Sequence, residues 1–278
     1  MANFKLLMQS LIADLAPPIV LRPAQRLWHR ARGLGSHTFE GCYPTLAAVP
    51  CGECRYDDDE LAEQIVSAGL KNLSSSRATS KAGDDDGRLI LPLIVSQLCE
   101  EPLTVLDFGG GVGVGFRCIK NYVPDLDPSK FSYVLVETAA MCRALRGKIE
   151  EPFIEIADDI PASLGANLIV SMSSAIQYVP DYRATLRRLA DLKPHCFIVS
   201  LTPFTDDPTY ARQQLNIPHK RIATWVFNRS DFISGMAELS YRLAFTVDHD
   251  LPITHKNAPG PSSIASMVFR SEVPEKSK

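Results

Sequence analysis

Val105-Leu106-Asp107-Phe108-Gly109-Gly110-Gly111-Val112-Gly113 is the stretch on which the reading of this chain turns. An apolar run enters a glycine cluster, and residues 113–122 behind it carry helical spacing. Glycines at a strand-to-helix turn permit positive φ and let a ligand approach the backbone closely. The free N–H groups at the helix start favour an anionic group. The nicotinamide fingerprint Gly-x-Gly-x-x-Gly fails in every register: counted from Gly109, Gly111 or Gly113, the last glycine falls on Val114, Phe116 or Cys118. A phosphate-binding P-loop is absent too, since no Gly-Lys-Ser/Thr follows. The pattern that fits is Asp-x-Gly-x-Gly-x-Gly on Asp107, Gly109, Gly111 and Gly113.

Outward from the loop, short apolar runs at 103–108, 133–137, 153–156, 168–171 and 196–201 alternate with helical segments at 113–122, 139–148 and 181–192. Such alternation predicts a mostly parallel sheet with helices on both faces. A helix at 231–239 and two final strands at 241–248 and 264–270 complete a seven-stranded α/β domain over 101–278. Residues 1–100 read as an N-terminal helical extension or lid. Within it, 57–73 is a helix opened by Asp57, Asp58 and Asp59, which suit the helix dipole. A second helix spans 89–99, and the Ser/Gly/Asp-rich stretch 74–87 is a loop, with Asp84-Asp85-Asp86 a solvated acidic cluster or, in the alternative, a cation site.

The 278 residues are 45% hydrophobic and 22% charged with a net charge of −3, the profile of a soluble enzyme without a basic field for nucleic acid. Neither a signal peptide nor a bilayer-spanning run is expected. Seven cysteines without framework spacing fit reduced thiols in the cytoplasm. Cys51-Gly52-Glu53-Cys54 lacks a second Cys or His pair, so no metal site is expected. In 1–35, apolar residues beside Arg22, Arg26, Arg30 and Arg32 form amphipathic segments that suit packing on the chain's own core or in a homodimer. A peripheral contact with an anionic membrane face is the alternative.

Further landmarks follow the glycine loop. Glu137 ends the second apolar strand, where a carboxylate can accept ribose hydroxyls; a helix-start role is the alternative. Asp158-Asp159 follows the third strand, and Ser173 and Ser174 follow the fourth, at the edge where ligands bind. Helix capping is the other use for both pairs.

The Asp-x-Gly-x-Gly-x-Gly loop resembles that of class I S-adenosylmethionine-dependent methyltransferases, Rossmann-like α/β proteins. The wider chain resembles a family of such enzymes often found among bacterial surface-polysaccharide genes. That likeness runs through LAPPIVLR, FEGCYP at 39–44, VLDFGGGVG, SSAIQYVPDY, FIVSLTPFTDDP at 197–208 and NIPHKRIATWVFNRSDF at 216–232. The resemblance implies S-adenosylmethionine as cofactor, with its carboxylate at the loop, Asp107 near its ammonium, Glu137 on the ribose, Asp158 at the adenine, and Ser173 and Ser174 beside the sulfonium. It implies a small-molecule or glycan acceptor without naming it. An oxygen acceptor needs a base, for which His219, Asp206 and Tyr178 are the candidates. Arg212, Lys220 and Arg221 can hold an anionic acceptor, or form a solvated basic loop. A nicotinamide-dependent sugar oxidoreductase and a non-catalytic binding protein are the rival functions.

Overall fold

The computed structural model describes residues 37–50, 57–74, 89–124, 126–127, 129–149, 151–165, 167–215, 221–251 and 253–272. The amphipathic segments of 1–35, the Cys51/Cys54 pair, Asp84-Asp85-Asp86, His219 and Lys220 lie outside these residues.

Eleven strands form one branched sheet among the described residues. In chain order they are β1 (His37–Tyr43), β2 (Leu103–Phe108), β3 (Phe131–Val136), β4 (Ile154–Ala157), β5 (Leu168–Ser173), β6 (Cys196–Thr205), β7 (Tyr210–Gln214), β8 (Ile222–Asn228), β9 (Tyr241–His249), β10 (Ile253–Lys256) and β11 (Ser262–Ser271). The helices are α1 (Asp59–Ser74), α2 (Ile90–Leu98), α3 (Val114–Tyr122), α4 (Ala139–Leu145), α5 (Tyr182–Asp191) and α6 (Arg229–Glu238).

The main sheet runs β4-β3-β2-β5-β6, all parallel. It then continues antiparallel through β11 to β9. Its strands alternate apolar side chains between two cores, as a sheet covered on both faces requires. Val105, Leu135 and Ile169 meet α1, α2, α3 and α4. Leu106, Val134 and Val170 meet α5 and α6. The helices start where local chemistry starts them. Thr138, Asp181 and Asn228 accept from the amides of Met141, Ala184 and Asp231. At α1 the Asp58 carboxylate accepts from Leu61 N at 2.8 Å.

Two features depart from the sequence reading. β6 runs four residues beyond the expected strand, and its end, Phe204 and Thr205, pairs in parallel with Phe227 and Asn228 of β8. From there a smaller sheet branches in the order β8-β7-β1-β10. Residues 37–43, expected within a helical extension, are therefore the strand β1, antiparallel to β7 and parallel to β10. Both partners come from the far end of the chain. A strand made by such distant pairing needs no periodicity of its own.

Helix α1 keeps its expected form and lies over the glycine loop. Leu61, Ala62 and Val66 are buried. A Cβ placed on Gly69 would fall 2.8 Å from Val112, so a side chain there would hold the helix off the loop. Ion pairs Arg143–Asp59 and Lys148–Glu63, both at 2.7 Å, tie α1 to the α4 region. No helix among the described residues is long and apolar enough to cross a membrane.

Candidate active site

The parallel strands β2, β3, β4 and β5 end along one edge, and the expected donor-site residues sit there in succession. The loop after β2 turns through three left-handed glycines, Gly109 (φ 68°), Gly111 (φ 61°) and Gly113 (φ 78°). A side chain at any of them would be strained. The positions differ in what surrounds them. A Cβ on Gly109 would overlap the methyl of Ala175, whereas one on Gly111 meets no atom within 4 Å. Gly109 is therefore packed against the turn after β5, and Gly111 opens into space. Gly113 caps α3 with no side-chain hydrogen bond, leaving the helix start to its own amides.

Glu137 stands at the head of α4, one strand over. Its Oε1 accepts from Gly111 N at 2.7 Å and its Oε2 from Thr138 N at 3.1 Å. Burial raises its pKa above the ordinary carboxylate value, and the two amide bonds oppose that rise. A carboxylate has about four lone-pair sites, so these bonds leave capacity for two hydroxyl donors.

Asp107 lies beneath the loop. It is 2% exposed. Its carboxylate accepts the Tyr133 hydroxyl and a side-chain bond from Ser171. Burial pushes its pKa up to about 6, with those hydrogen bonds pulling the other way. A Cβ on Gly110 would run into this carboxylate and Leu135, and one on Gly115 would meet the Tyr133 hydroxyl at 2.6 Å. Asp107 thus acts on the loop from below, and Tyr133 is the partner the sequence reading missed. A tyrosine in a strand gives no sign of which side chain it will meet across the sheet.

Asp158 is exposed just past β4. Its neighbour Asp159 is engaged by Ile160 N at 2.8 Å and by Arg188 at 2.9 Å. Ser173 is half-buried at the end of β5, and Ser174 is exposed with φ 53°. Ser174 N donates to Ser200 O at 2.8 Å, and its Oγ accepts from Gln177 Nε2 at 2.9 Å. The 3-10 turn Ile176–Tyr178 follows. Tyr178 donates its hydroxyl to Gln214 Oε1 on β7 at 2.8 Å, which joins the turn to the branch sheet. Asp206 is exposed past the end of β6, and its backbone carbonyl accepts from Asn228 Nδ2 at 3.1 Å. Tyr178 and Asp206 therefore sit after neighbouring strands. Of the basic candidates, Arg212 is buried in β7, and Arg221 donates to Gln213 Oε1 at 2.8 Å. Among the described residues no His/Cys/Asp/Glu group is arranged to hold a metal ion.

A glycine turn after the first parallel strand, faced by a carboxylate from the second, in a 4-3-2-5-6-11-9 sheet defines the Rossmann-like class I methyltransferase fold. Residues 85–241 match the model of a family described as a methyltransferase domain, and the chain belongs to that family. No curated protein matches it. Among solved structures it is similar to 1,6-didemethyltoxoflavin-N1-methyltransferase of Burkholderia thailandensis with bound 1,6-didemethyltoxoflavin and S-adenosylhomocysteine. Identity there is 14%, over 76% of this chain and 89% of that one, with a TM-score of 0.45. It is also similar to magnesium protoporphyrin IX methyltransferase of Synechocystis PCC 6803 with bound S-adenosylhomocysteine, at 15% identity over 77% and 100%, TM-score 0.44. A third is the N-terminal domain of EvdMO1 in the presence of S-adenosylhomocysteine and D-fucose, at 10% identity over 68% and 84%, TM-score 0.47.

Proposed function

We propose that this methyltransferase moves the methyl group of S-adenosylmethionine to a small-molecule or glycan acceptor. The observation that carries this reading is the meeting of Glu137 with the Gly111 amide at 2.7 Å, a carboxylate able to accept sugar hydroxyls lying against the glycine turn. The residues fit the group: the space above Gly111 is open, the α3 amides carry no side-chain cap, and Glu137 has acceptor capacity to spare.

When bound, the cofactor supplies an electrophilic methyl on sulfur. The chain does the rest by binding, orienting and excluding water. The α3 start would hold an anionic group, Glu137 the ribose hydroxyls and Asp158 the adenine, and the turn at Ser173 and Ser174 would serve the sulfonium end. Helix α1 lies over the loop, which supports a lid role for that helix. For an oxygen acceptor, Asp206 or His219 would take the proton, and Tyr178, whose hydroxyl donates to Gln214, could do so only as the phenolate. Sugar units of surface polysaccharide remain the acceptor class that the sequence resemblance suggests, with the reaction in the cytoplasm.

Calorimetric titration with S-adenosylhomocysteine tests the donor site. Gly111→Arg should abolish binding by filling the open space. Glu137→Ala should weaken it by about tenfold, since lost hydroxyl bonds of roughly 1–1.5 kcal/mol are partly replaced by water. Unchanged affinity in Gly111→Arg would refute the placement. Incubation with methyl-labelled cofactor and candidate acceptors, followed by mass measurement, then identifies the product.

A further inference from the structure

A buried cation without a counter-ion stands beside the site. Arg212 on β7 is 1% exposed. Its guanidinium lies 3.5 Å from the centroid of the Phe39 ring on β1. Its Nε and Nη1 have no hydrogen-bond partner. The titratable groups acting on it are the Tyr210 and Tyr178 phenols and the His255 imidazole, whose pKa the arginine helps to lower, and no carboxylate among the described residues pairs with it. Burial lowers its pKa to about 10, so it keeps its charge at neutral pH. A buried cation left unpaired is costly, and the planar fork of arginine matches carboxylate and phosphate oxygens in pairs.

Its place in the fold points to the acceptor. Alternation along β7 puts Arg212 on the same face as Gln214. Gln214 receives the Tyr178 hydroxyl. Tyr178 belongs to the turn whose Ala175 abuts Gly109 of the donor loop. In that same turn Gln177 is 3% exposed, and its Oε1 also lacks a partner. Unsatisfied buried groups of this kind are rare in folded proteins and call for a partner such as a water, an ion or a ligand. The Phe39 ring holds the guanidinium in place without using its N–H groups.

We propose that Arg212 binds an anionic group, a carboxylate or a phosphate, of the methyl acceptor and so selects acidic acceptors over neutral ones. This rests on the methyltransferase reading of the neighbouring loop. The test uses full-length protein loaded with S-adenosylhomocysteine, and thermal melts titrated with sodium acetate or sodium phosphate against sodium chloride of equal ionic strength. Wild type should show a saturable rise in melting temperature with one of the two anions, and the responding arm tells carboxylate from phosphate. Arg212→Met should lose the response, and Arg212→Lys, which keeps the charge but not the fork, should bind the anion at least tenfold more weakly. Arg212→Lys also serves if the methionine variant does not fold. An equal response in wild type and variant, or none in wild type, overturns the proposal. Calorimetry separates the two readings: all three proteins should bind S-adenosylhomocysteine alike. Binding of S-adenosylhomocysteine without anion discrimination sinks only the Arg212 assignment, whereas no binding by wild type sinks the donor site and the acceptor assignment with it.

Discussion

Two alanine substitutions in the glycine loop should part stability from cofactor affinity. Gly109 and Gly111 share nearly the same left-handed φ, 68° and 61°. Each pays about 1–2 kcal/mol of backbone strain as alanine. Each also gains back about 0.4–1 kcal/mol from a stiffer unfolded chain. These two effects cancel in a comparison. What remains is space. The new methyl at 109 would sit well inside 3.0 Å of the Ala175 methyl, while at 111 nothing lies within 4 Å. Ordinary carbon contacts need about 3.5–4.0 Å, so at 109 the turn after β5 must shift by around an ångström. Forced overpacking of that kind costs roughly 1–3 kcal/mol. Gly109→Ala should therefore be less stable than Gly111→Ala by about 1–3 kcal/mol in urea denaturation, with equal m-values. Affinity for S-adenosylhomocysteine should move the other way. The methyl at 111 enters the space assigned to the ligand and should weaken binding at least tenfold, equivalent to about 1.4 kcal/mol. If Gly109→Ala proved as stable as Gly111→Ala, or if Gly111→Ala bound the ligand as wild type does, the assignment of one packed and one open glycine would be wrong.

Asp107 gives a prediction in pH. Its folded pKa of about 6 lies above the ordinary 3.8, so the native state holds its proton more tightly than the unfolded chain does. The penalty for ionising it is absent below 3.8 and fully present above about 6, so stability from this residue falls as pH rises through that window. Asp107→Asn should flatten that fall, seen as a gain over wild type of a few kcal/mol near pH 7 and little near pH 4 in parallel denaturation curves; an unchanged pH slope would argue against a protonated carboxyl under the loop. Tyr133→Phe removes the hydroxyl that Asp107 accepts and keeps the ring packed against Phe116. It should cost about 1–3 kcal/mol, the loss for a buried acceptor left short of a donor, and a loss near zero would show that Ser171 alone suffices.

The parallel half of the main sheet, from β2 to β5, was legible in the sequence because its signals are local. Glycines at 109, 111 and 113 are needed by a turn that the chain makes within itself. The Asp58, Thr138, Asp181 and Asn228 caps act three residues away, and apolar runs at 103–108 and 168–171 match β2 and β5 closely. Glu137 meets the glycine turn because it follows a strand whose neighbour carries the loop.

The branch sheet was hidden from the sequence. β7 is Tyr-Ala-Arg-Gln-Gln, a polar run that looks like an exposed loop, yet every residue of it is buried. It is a strand because β8 lies on one side and β1, from about 170 residues earlier, lies on the other. Its glutamines also find distant partners: Gln213 Nε2 donates to Pro50 O, 163 residues earlier, at 2.6 Å, and Gln214 accepts from Tyr178, 36 residues earlier. Hydrogen bonds of this reach leave no spacing to detect, since pairing depends on where the rest of the chain has already placed its ends. Sequence alone determined the glycine turn and the strand–helix alternation around it, where each residue answers to its neighbours in the chain. Only tertiary structure decided that Asp107 lies beneath the loop and that Arg212 is a buried charge, because burial is a property of what packs around a residue and not of the residue itself.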